Sequence, residues 1–385
     1  MALPVRKRLR ALALAGAILA LAALARVQPF DPGPPRPIAP GIDLYHSTNS
    51  SLISPEGPIS IWMLRLDPSK CDLRAVLAND EIVGTETVAD LAVRHKATVA
   101  VNAGFFLPNG DPAGVLTVDG RLVSDTRRAR GAVGLPKTGG GLIFARLRAS
   151  ASLVVHRRGG ASRIPIDGVD TTRARGRIML FTPAYHGDTD TAEGGLEWVV
   201  AGSRVVAARR TSGRTPIPRD GFVISYGGLE PPPPLASLKR GTRVSIEVTY
   251  EPLEGPAGPW QRARDIVGGA GLLIRDGQDV EDWSVEQFGR GFAENRHPRT
   301  MIGVRGDGSI WLVVVDGRQP QLSEGMTLEE LRTFARRLDL TDALNLDGGG
   351  STTMWVQGEI VNSPSDLTGP RKVSDALLVF ARGAP

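Results

Sequence analysis

Asn345-Leu346-Asp347-Gly348-Gly349-Gly350-Ser351-Thr352-Thr353-Met354 is the stretch of the chain that says most about its fold and its chemistry. The apolar residues that lead into it predict a buried strand that ends beside Asp347. The three glycines leave bare backbone, which can adopt positive φ and point its N–H groups together at an anion. We therefore expect a ligand site with Asp347 as its carboxylate. The alternative is a tight turn in which Asp347 is only solvated.

A second predicted strand end carries an amide and two aromatic rings. The run Val99-Ala100-Val101 is followed by Asn102-Ala103-Gly104-Phe105-Phe106. The Asn102 amide can hold a hydroxyl or a phosphate oxygen, and the rings of Phe105 and Phe106 can either face a sugar or belong to the core. Asn102 and Phe106 are therefore candidate substrate-binding residues.

A third predicted strand, at residues 301–304, is entered by His297-Pro298-Arg299-Thr300. A guanidinium at Arg299 can clamp a phosphate with two parallel hydrogen bonds, although a surface arginine is the alternative. His297 beside it is a candidate general acid or base, or else a solvated loop histidine.

A second carboxylate follows a fourth strand, in Val313-Val314-Val315-Asp316-Gly317-Arg318. Asp316 and Asp347 can form the pair that cleaves glycosides, with one as acid and the other as base or nucleophile. Either can instead hold a hard divalent cation, Ca²⁺ or Mg²⁺, through oxygen. The sequence indicates no other cofactor and leaves metal ligands unassigned.

Composition narrows the class of protein. The chain has 385 residues, of which 41% are hydrophobic and 23% are charged, so it can bury a large core. The net charge is +5, but four basic residues lie within the first ten residues. The remainder is close to neutral, and we expect no nucleic-acid partner. Cys71 is the single cysteine, which excludes an intramolecular disulfide and predicts a buried apolar residue.

The N-terminus predicts export. Arg6, Lys7, Arg8 and Arg10 precede an apolar run at residues 11–25, so residues 1–28 are predicted to be a signal peptide or a signal anchor. The Pro-rich stretch 29–41 should form neither helix nor sheet and should act as a semi-rigid linker. Because the basic segment orients the apolar run, the body is expected outside the cytoplasm: secreted, periplasmic or on the outer face of the cytoplasmic membrane.

Short alternating runs predict a strand-rich fold. The clearest lie at residues 59–66, 73–77, 98–101, 141–147, 177–181, 221–225, 243–250 and 309–315, with hairpins at Asp119-Gly120 and Gly306-Asp307-Gly308. The helices predicted are at residues 87–95 and 327–338, the second with a capping box of Thr327 and Glu330. We expect an α+β fold with a mixed, largely antiparallel sheet. Residues 42–385 would form one body with an inserted β-rich lobe at about 161–259.

In chain order, these segments together resemble the phosphodiester glycosidase family. The resemblance covers roughly residues 59–380. The segments that carry it are Asn102-Ala-Gly-Phe-Phe106, Gly268-Gly269, Arg299-Thr300, Val315-Asp316-Gly317-Arg318, Gly325-Met326-Thr327-Leu328, the stretch from Asn345 to Ser351, and Arg371-Lys372-Val373-Ser374-Asp375-Ala376-Leu377. The resemblance implies the family's α+β domain. It also implies hydrolysis of a sugar 1-phosphodiester, by cleavage of the glycosidic C–O bond, in cell-envelope or exported glycans.

The resemblance further implies roles for the candidate residues. Asp347 and Asp316 would carry out acid/base chemistry or hold a cation. The other candidates would bind the phosphodiester or the sugar through guanidinium, amide, hydroxyl or backbone N–H groups, and they are Arg299, Arg371, Asn102, Asn345, Gly348, Gly349, Gly350 and Ser351.

Two other functions remain open. In a metal-dependent phosphodiesterase the same aspartates would hold Mg²⁺ or Ca²⁺ and activate water at phosphorus. A non-catalytic glycan-binding wall protein would need exposed aromatic platforms, for which an aromatic content of 5% provides little material. The sequence lacks G-x-S-x-G, H-E-x-x-H and G-x-x-x-x-G-K-[ST], which argues against an α/β-hydrolase, a zincin or a P-loop protein.

Overall fold

The computed structural model describes residues 29–137, 140–211 and 213–382, and strands dominate them. In chain order the strands are β1 (Arg36–Ala39), β2 (Ile42–Ser47), β3 (Ile61–Leu66), β4 (Cys71–Leu77), β5 (Val99–Asn102), β6 (Leu116–Val118), β7 (Arg121–Ser124), β8 (Thr126–Pro136), β9 (Ile143–Arg157), β10 (Gly160–Pro165), β11 (Gly168–Val169), β12 (Ile178–Phe181), β13 (Gly195–Ala201), β14 (Arg204–Thr211), β15 (Gly221–Tyr226), β16 (Arg243–Pro252), β17 (Ala263–Gly268), β18 (Leu272–Arg275), β19 (Gln278–Asp279), β20 (Arg299–Arg305), β21 (Ile310–Val315), β22 (Leu340–Asn345), β23 (Met354–Val356), β24 (Glu359–Ile360) and β25 (Asp375–Ala381). The α-helices are α1 (Val88–His95), α2 (Pro233–Ala236), α3 (Gly258–Gln261), α4 (Arg290–Glu294) and α5 (Leu328–Arg337). The predicted α+β fold with few helices is confirmed.

The strands form three sheets. The first has the order β1-β2-β3-β21-β20-β22-β18-β19, and the third has the order β24-β23-β5-β25-β4. The second has the order β11-β12-β15-β13-β14-β16-β9-β8-β17-β6-β7, with β10 paired to β9. Pairing is antiparallel throughout the first and third sheets, whereas β11 and β12 pair in parallel in the second.

Burial along each strand follows from its residues. In β4, Cys71, Leu73, Ala75 and Leu77 are buried and alternate with less buried positions, so one face of the strand packs on the core. In β21 every residue from Ile310 to Val315 is buried, as expected for an apolar run between two neighbouring strands and covered on both faces.

Helix α5 covers the first sheet as its sequence predicts. The Thr327 hydroxyl accepts a hydrogen bond from the Glu330 amide at 3.0 Å, and the Glu330 carboxylate accepts one from the Thr327 amide at 3.0 Å. This capping box fixes the start of the helix. The apolar face of α5, including Leu331 and Phe334, packs against Met301 of β20.

The predicted linker is partly built into the body, which corrects the expectation that it forms no sheet. Residues 36–39 of the predicted 29–41 linker form β1 and pair with β2. Phe30 is buried, its amide donates to the Arg337 carbonyl at 2.7 Å, and its ring lies edge-on to Phe334 at 5.3 Å. The predicted signal segment, residues 1–28, lies outside the described residues. Within the described residues, no helix is both long enough and apolar enough to cross a membrane.

The strands of the predicted β-rich lobe share a sheet with residues outside its bounds. Strands β10 to β16 fall at or near residues 161–259, but β6, β7, β8, β9 and β17 belong to the same second sheet. The lobe therefore extends in both directions along the chain from the predicted segment.

Candidate active site

The first and third sheets meet at strand ends, and Asp347 lies at that junction. Strand β22 ends at Asn345, two residues before it. The Asp347 amide donates to the Ala103 carbonyl at 2.9 Å, and its carbonyl accepts from Asn102 Nδ2 at 2.7 Å. Since Asn102 ends β5 of the third sheet and Ala103 follows it, the backbone of Asp347 is fixed by both sheets.

The carboxyl group of Asp347 is set up to titrate near neutral pH. Burial raises its pKa to about 7, and the charge on Asp375 adds to this. The shift is opposed by the Ser351 hydroxyl, by the Gly348 amide at 2.9 Å and by the Arg371 guanidinium. A carboxyl group that is shifted to neutral pH in this way is suited to proton transfer.

The three glycines are required for close approach and for backbone conformation. A Cβ atom on Gly348 would lie 2.5 Å from the Pro298 carbonyl oxygen, a distance that backbone cannot tolerate. Gly349 has a φ of +61° and donates its amide to the same carbonyl at 2.9 Å. The positive φ predicted for a glycine here is confirmed.

Two guanidinium groups cover the glycine turn. A Cβ atom on Gly349 would lie 3.0 Å from Arg318 Nη2 and 3.2 Å from Nη1, so the Arg318 guanidinium rests on this glycine. Arg371 reaches the adjacent Gly350 together with Asp366, and a Cβ atom there would collide with both side chains. The structure therefore brings Arg371 to the turn, and it adds Arg318, for which the sequence suggested no role.

His297 lies beside Arg318, but both of its ring nitrogens are engaged. Nδ1 is 3.3 Å from Arg318 Nη2, and Nε2 is 3.3 Å from the Gly291 carbonyl oxygen. Burial and the charges of Arg299 and Arg318 lower its pKa. A neutral ring that donates from Nε2 and accepts at Nδ1 fits both contacts, so His297 positions Arg318 more readily than it exchanges protons with a substrate.

Arg299 is a buried structural arginine in this arrangement. Its Nε donates to the Met326 carbonyl at 2.8 Å, and its Nη2 donates to the Phe292 and Asn295 carbonyls at 2.7 and 3.2 Å. Burial lowers its pKa to about 10. Its side chain is 1% exposed and ties α4 to β20. Sequence spacing cannot separate Arg299 from Arg318, because both lie at strand ends, and the direction of each side chain depends on the fold.

Asn102 and Asn345 position the turn by hydrogen bonds within the protein. Asn102 Oδ1 accepts from Thr300 Oγ1 at 2.8 Å and from the Thr353 amide at 3.1 Å, in addition to the bond to Asp347. Asn345 Nδ2 donates to the Ala270 carbonyl at 2.8 Å. Both side chains are fully buried.

Several polar atoms of this segment are buried without a partner. Buried polar groups normally make hydrogen bonds, so each exception needs an explanation. Among the described residues, the unpartnered atoms of the stretch 345–353 are Asn345 Oδ1, Ser351 Oγ, Thr352 Oγ1 and Thr353 Oγ1. Although Ser351 Oγ lies close enough to oppose the Asp347 pKa shift, it has no partner of hydrogen-bonding geometry. These atoms belong to the segment that carries Asp347, and they are buried with unused hydrogen-bonding capacity.

The Asp316 carboxylate anchors a loop by accepting three hydrogen bonds. Its carboxylate accepts from Ser60 Oγ at 2.8 Å, Asn362 Nδ2 at 3.0 Å and the Ser363 amide at 2.8 Å. Burial raises its pKa, and the same three donors oppose the shift. Asn362 in turn binds the Thr352 carbonyl at 3.1 Å. Asp316 thus supports the turn from behind, through the loop that begins at Asn362.

The carboxyl group that couples to Asp347 belongs to Asp375, which the sequence suggested only as part of a strand motif. Asp375 is fully buried and accepts from the Gly104 amide at 2.6 Å and from Ser374 Oγ at 2.5 Å. Burial raises its pKa. The sequence could have indicated a role for Asp375. It directly precedes the apolar run Ala376-Leu377-Leu378-Val379, and a charged residue is unusual in a buried strand.

Phe105, rather than Phe106, lies toward the helix beside the site. Phe105 is half-buried and contacts Phe292 of α4 edge-on, with ring centres 5.8 Å apart. Phe106 packs against the apolar cluster under α1. Among the described residues, no group of three or more His, Cys, Asp or Glu side chains is arranged to hold a metal ion.

The part of the chain that contains this site is similar to a known family. Residues 194–380 match the family model of phosphodiester glycosidase, and they include the glycine turn, Arg318, Arg371 and Asp375. N-acetylglucosamine-1-phosphodiester alpha-N-acetylglucosaminidase of Mus musculus is 29% identical over 175 residues, which are 42% of this chain and 33% of the mouse protein. The match therefore spans about a third of the length of that relative.

Solved structures extend the similarity to most of the chain. A hypothetical protein from Synechocystis has a TM-score of 0.75 and 27% identity, covering 89% of this chain and 62% of its own. A protein from Burkholderia pseudomallei K96243 has a TM-score of 0.70 and 26% identity, covering 84% of this chain and 74% of its own. Residues 194–380, which are just under half of the chain and contain the site, match the phosphodiester glycosidase family.

Proposed function

We propose that this chain hydrolyses sugar 1-phosphodiesters of exported or cell-envelope glycans by cleaving the glycosidic C–O bond. The observation that carries the proposal is that one turn holds both a carboxyl group that can act as an acid and two guanidinium groups that can bind an anion. The Asp347 carboxyl has a pKa of about 7, and the Arg318 and Arg371 guanidiniums lie on the next glycines. The mouse relative is named for cleaving such a sugar phosphodiester.

The phosphate would lie against Arg318 and Arg371. When the C–O bond breaks, negative charge develops on the phosphate oxygen that leaves the sugar. Guanidinium groups form charge-assisted hydrogen bonds to phosphate oxygens and strengthen as this charge grows. Because both arginines are already held on the turn, little reorganisation is needed when the bond breaks.

Asp347 would act as the general acid. With a pKa of about 7 it is protonated in about half of the molecules at neutral pH, and it can donate to the leaving oxygen. Water adds its oxygen to the anomeric carbon, and the glycosidic oxygen stays on the phosphate. The products are therefore the free sugar and a phosphomonoester.

The sugar would lie against the same segment. Its unpartnered polar atoms, Asn345 Oδ1 and the hydroxyl oxygens of Ser351 and Thr353, are buried, so a sugar hydroxyl would reach them only after the segment opens.

Export is part of the proposal and rests on the N-terminal sequence. The basic and apolar pattern of residues 1–28 supports delivery to the secretory route, where envelope glycans with sugar-phosphate links would be available. A C-terminal reporter that is active only outside the cytoplasm is the expected result, and activity only inside would contradict it.

The decisive experiment is hydrolysis in ¹⁸O-water of a panel of sugar 1-phosphodiesters. Label in the released sugar is the expected result, since it reports C–O cleavage. Label in the phosphate would instead support the metal-dependent phosphodiesterase. Saturable glycan binding without turnover would support the wall-protein alternative. Parallel reactions with a chelator test whether Ca²⁺ or Mg²⁺ takes part.

A further inference from the structure

Resting on the proposed function, we propose that Asp366 makes the glycine turn select singly charged phosphodiesters over doubly charged phosphomonoesters. Asp366 lies in the loop between β24 and β25, and its side chain is 27% exposed. Its carboxylate lies on the turn, because a Cβ atom at Gly350 would collide with it.

The contact between Asp366 and Arg371 has the geometry of an anion bound to a guanidinium fork. Arg371 Nε donates to Asp366 Oδ2 at 2.8 Å, and Nη2 donates to Oδ1 at 3.1 Å. A phosphate uses the same two-pronged arrangement. Asp366 therefore occupies one edge of the Arg371 guanidinium with a carboxylate.

The charge on the turn follows from three side chains. Arg318 rests on Gly349 and, within the described part of the chain, makes no salt bridge. Arg371 is paired with Asp366. The neighbouring His297 has a lowered pKa and adds no charge at neutral pH. While Asp347 is protonated, these two guanidiniums and one carboxylate leave one net positive charge for the substrate.

One net positive charge matches a phosphodiester better than a phosphomonoester. The Coulomb energy scales with the charge of the ligand, and a phosphomonoester carries about −1.5 to −2 at pH 7. Its second charge would face Asp366 without a cation of its own. The reaction converts a diester into a monoester, so the same carboxylate that tolerates the substrate repels the product and favours its release.

The loop does not need Asp366 to keep its place. At one end, the Ser363 amide donates to Asp316, and Gln319 donates to the Ser363 carbonyl at 2.8 Å. At the other end, Val373 pairs with Glu86. Asp366→Asn keeps the size of the side chain and removes its charge, so it changes the electrostatics of the turn with little effect on the fold.

The test is a titration of the full chain with methyl phosphate and dimethyl phosphate, followed by ³¹P NMR at pH 8 and low salt. All proteins in the test carry Asp347→Asn, so that residue 347 has no charge at this pH. Asp366→Asn should raise the affinity for methyl phosphate about tenfold and the affinity for dimethyl phosphate about threefold, since the removed charge acts twice on the dianion. Asp366→Glu should keep the wild-type ratio. Glu247→Gln is the matched control, because Glu247 forms a similar two-pronged pair with Arg163 on the second sheet.

Three outcomes would overturn the proposal. The first is an unchanged ratio of the two affinities in Asp366→Asn. The second is an equal loss of both affinities, which would make Asp366 a positioning residue for Arg371. The third is no measurable binding of either anion. The result is separable from the proposed function. A shifted ratio without hydrolysis of sugar 1-phosphodiesters would keep the charge selection and reject the glycosidase, whereas hydrolysis with an unshifted ratio would do the reverse.

Discussion

Asp347 and Asp375 bind the two polar groups of a single peptide bond, the one between Ala103 and Gly104. The Asp347 amide donates to the Ala103 carbonyl at 2.9 Å, and the Asp375 carboxylate accepts from the Gly104 amide at 2.6 Å. The charge on Asp375 raises the pKa of Asp347. Two aspartates, one following a strand of the first sheet and one in a strand of the third, are therefore linked through the peptide bond that follows β5.

Activity should fall as pH rises through about 7. The pKa of Asp347 is raised to about 7, and a general acid works only while it is protonated. We expect kcat to be high below this pH and to decline tenfold per pH unit well above it. A pH profile on a sugar 1-phosphodiester checks this, and a limb that rises through pH 7 would make Asp347 a base instead.

Asp375→Asn should shift that limb to lower pH. Removing the like charge lowers the pKa of Asp347, by less than about one unit for a single neighbouring carboxylate. The substituted asparagine retains a side-chain oxygen that can accept from the Gly104 amide, so the fold should survive. An unmoved limb in a folded variant would show that the two carboxyl groups do not interact.

Asp347→Asn should lose turnover and gain stability above pH 7. Loss of an acid/base group lowers kcat by at least about a hundredfold. Because the folded-state pKa is raised, the acid stabilises the fold fully below pH 4 and loses that contribution as pH rises through 7. Asparagine avoids this loss, so its free energy of unfolding at pH 8 should exceed wild type by roughly 1–3 kcal/mol. Denaturant unfolding at pH 5 and pH 8 measures it, and equal differences at both pH values would contradict it.

Arg318→Ala and Arg299→Lys should separate binding from folding. Arg318 is exposed on the turn, so its loss should lower kcat/KM on sugar 1-phosphodiesters about tenfold to a hundredfold and leave the melting temperature unchanged. An aryl glycoside of the same sugar, which has no phosphate, should lose far less. Equal losses on both substrates would remove Arg318 from the phosphate site.

Arg299→Lys should instead destabilise the protein. A lysine cannot reproduce the three hydrogen bonds from Arg299 to the Met326, Phe292 and Asn295 carbonyls. We expect the free energy of unfolding to drop by about 1–3 kcal/mol, with similar relative losses of activity on both substrates. A stable variant that is impaired only on phosphodiesters would restore Arg299 as the phosphate clamp.

Gly349→Ala should impair activity more than its effect on stability explains. The φ of +61° makes alanine strained by about 1–2 kcal/mol, and the added methyl group would push on Arg318 at 3.0 Å. Gly202→Ala is the matched control, because Gly202 has a φ of +55° and nothing within 4 Å of an added Cβ atom. Equal loss of activity in the two variants would mean that strain alone is responsible.

Local sequence was sufficient for only part of the fold. Alternation predicted β4, and the capping box with a regular apolar face predicted α5, since each signal lies within a few residues. β1 escaped prediction because its pairing with β2 is a tertiary contact. Proline is tolerated there at Pro37, as β1 is the edge strand of its sheet.

Features of the site that depend on backbone conformation could be predicted from the sequence. Features that depend on the direction of a side chain in the folded protein could not. Gly349 indicates its positive φ by being a glycine, and Asp347 follows from the strand before it. Arg299 and Arg318 look alike in sequence, yet one turns into the core and the other onto the turn. Asp366 gives no local signal, because its position over Gly350 depends on a loop closed by distant anchors.

Because Asp316 and Glu86 anchor the two ends of that loop, the loop can vary in evolution without disturbing its surroundings. Ser363 and Val373 are pinned, so substitutions and small insertions at residues 364–372 need not disturb the strands or Asp347. Leu367, fully exposed at the tip, is already free of packing constraints. Relatives could acquire new glycan preferences by altering this one segment, and a library restricted to it would be the natural starting point for engineering them.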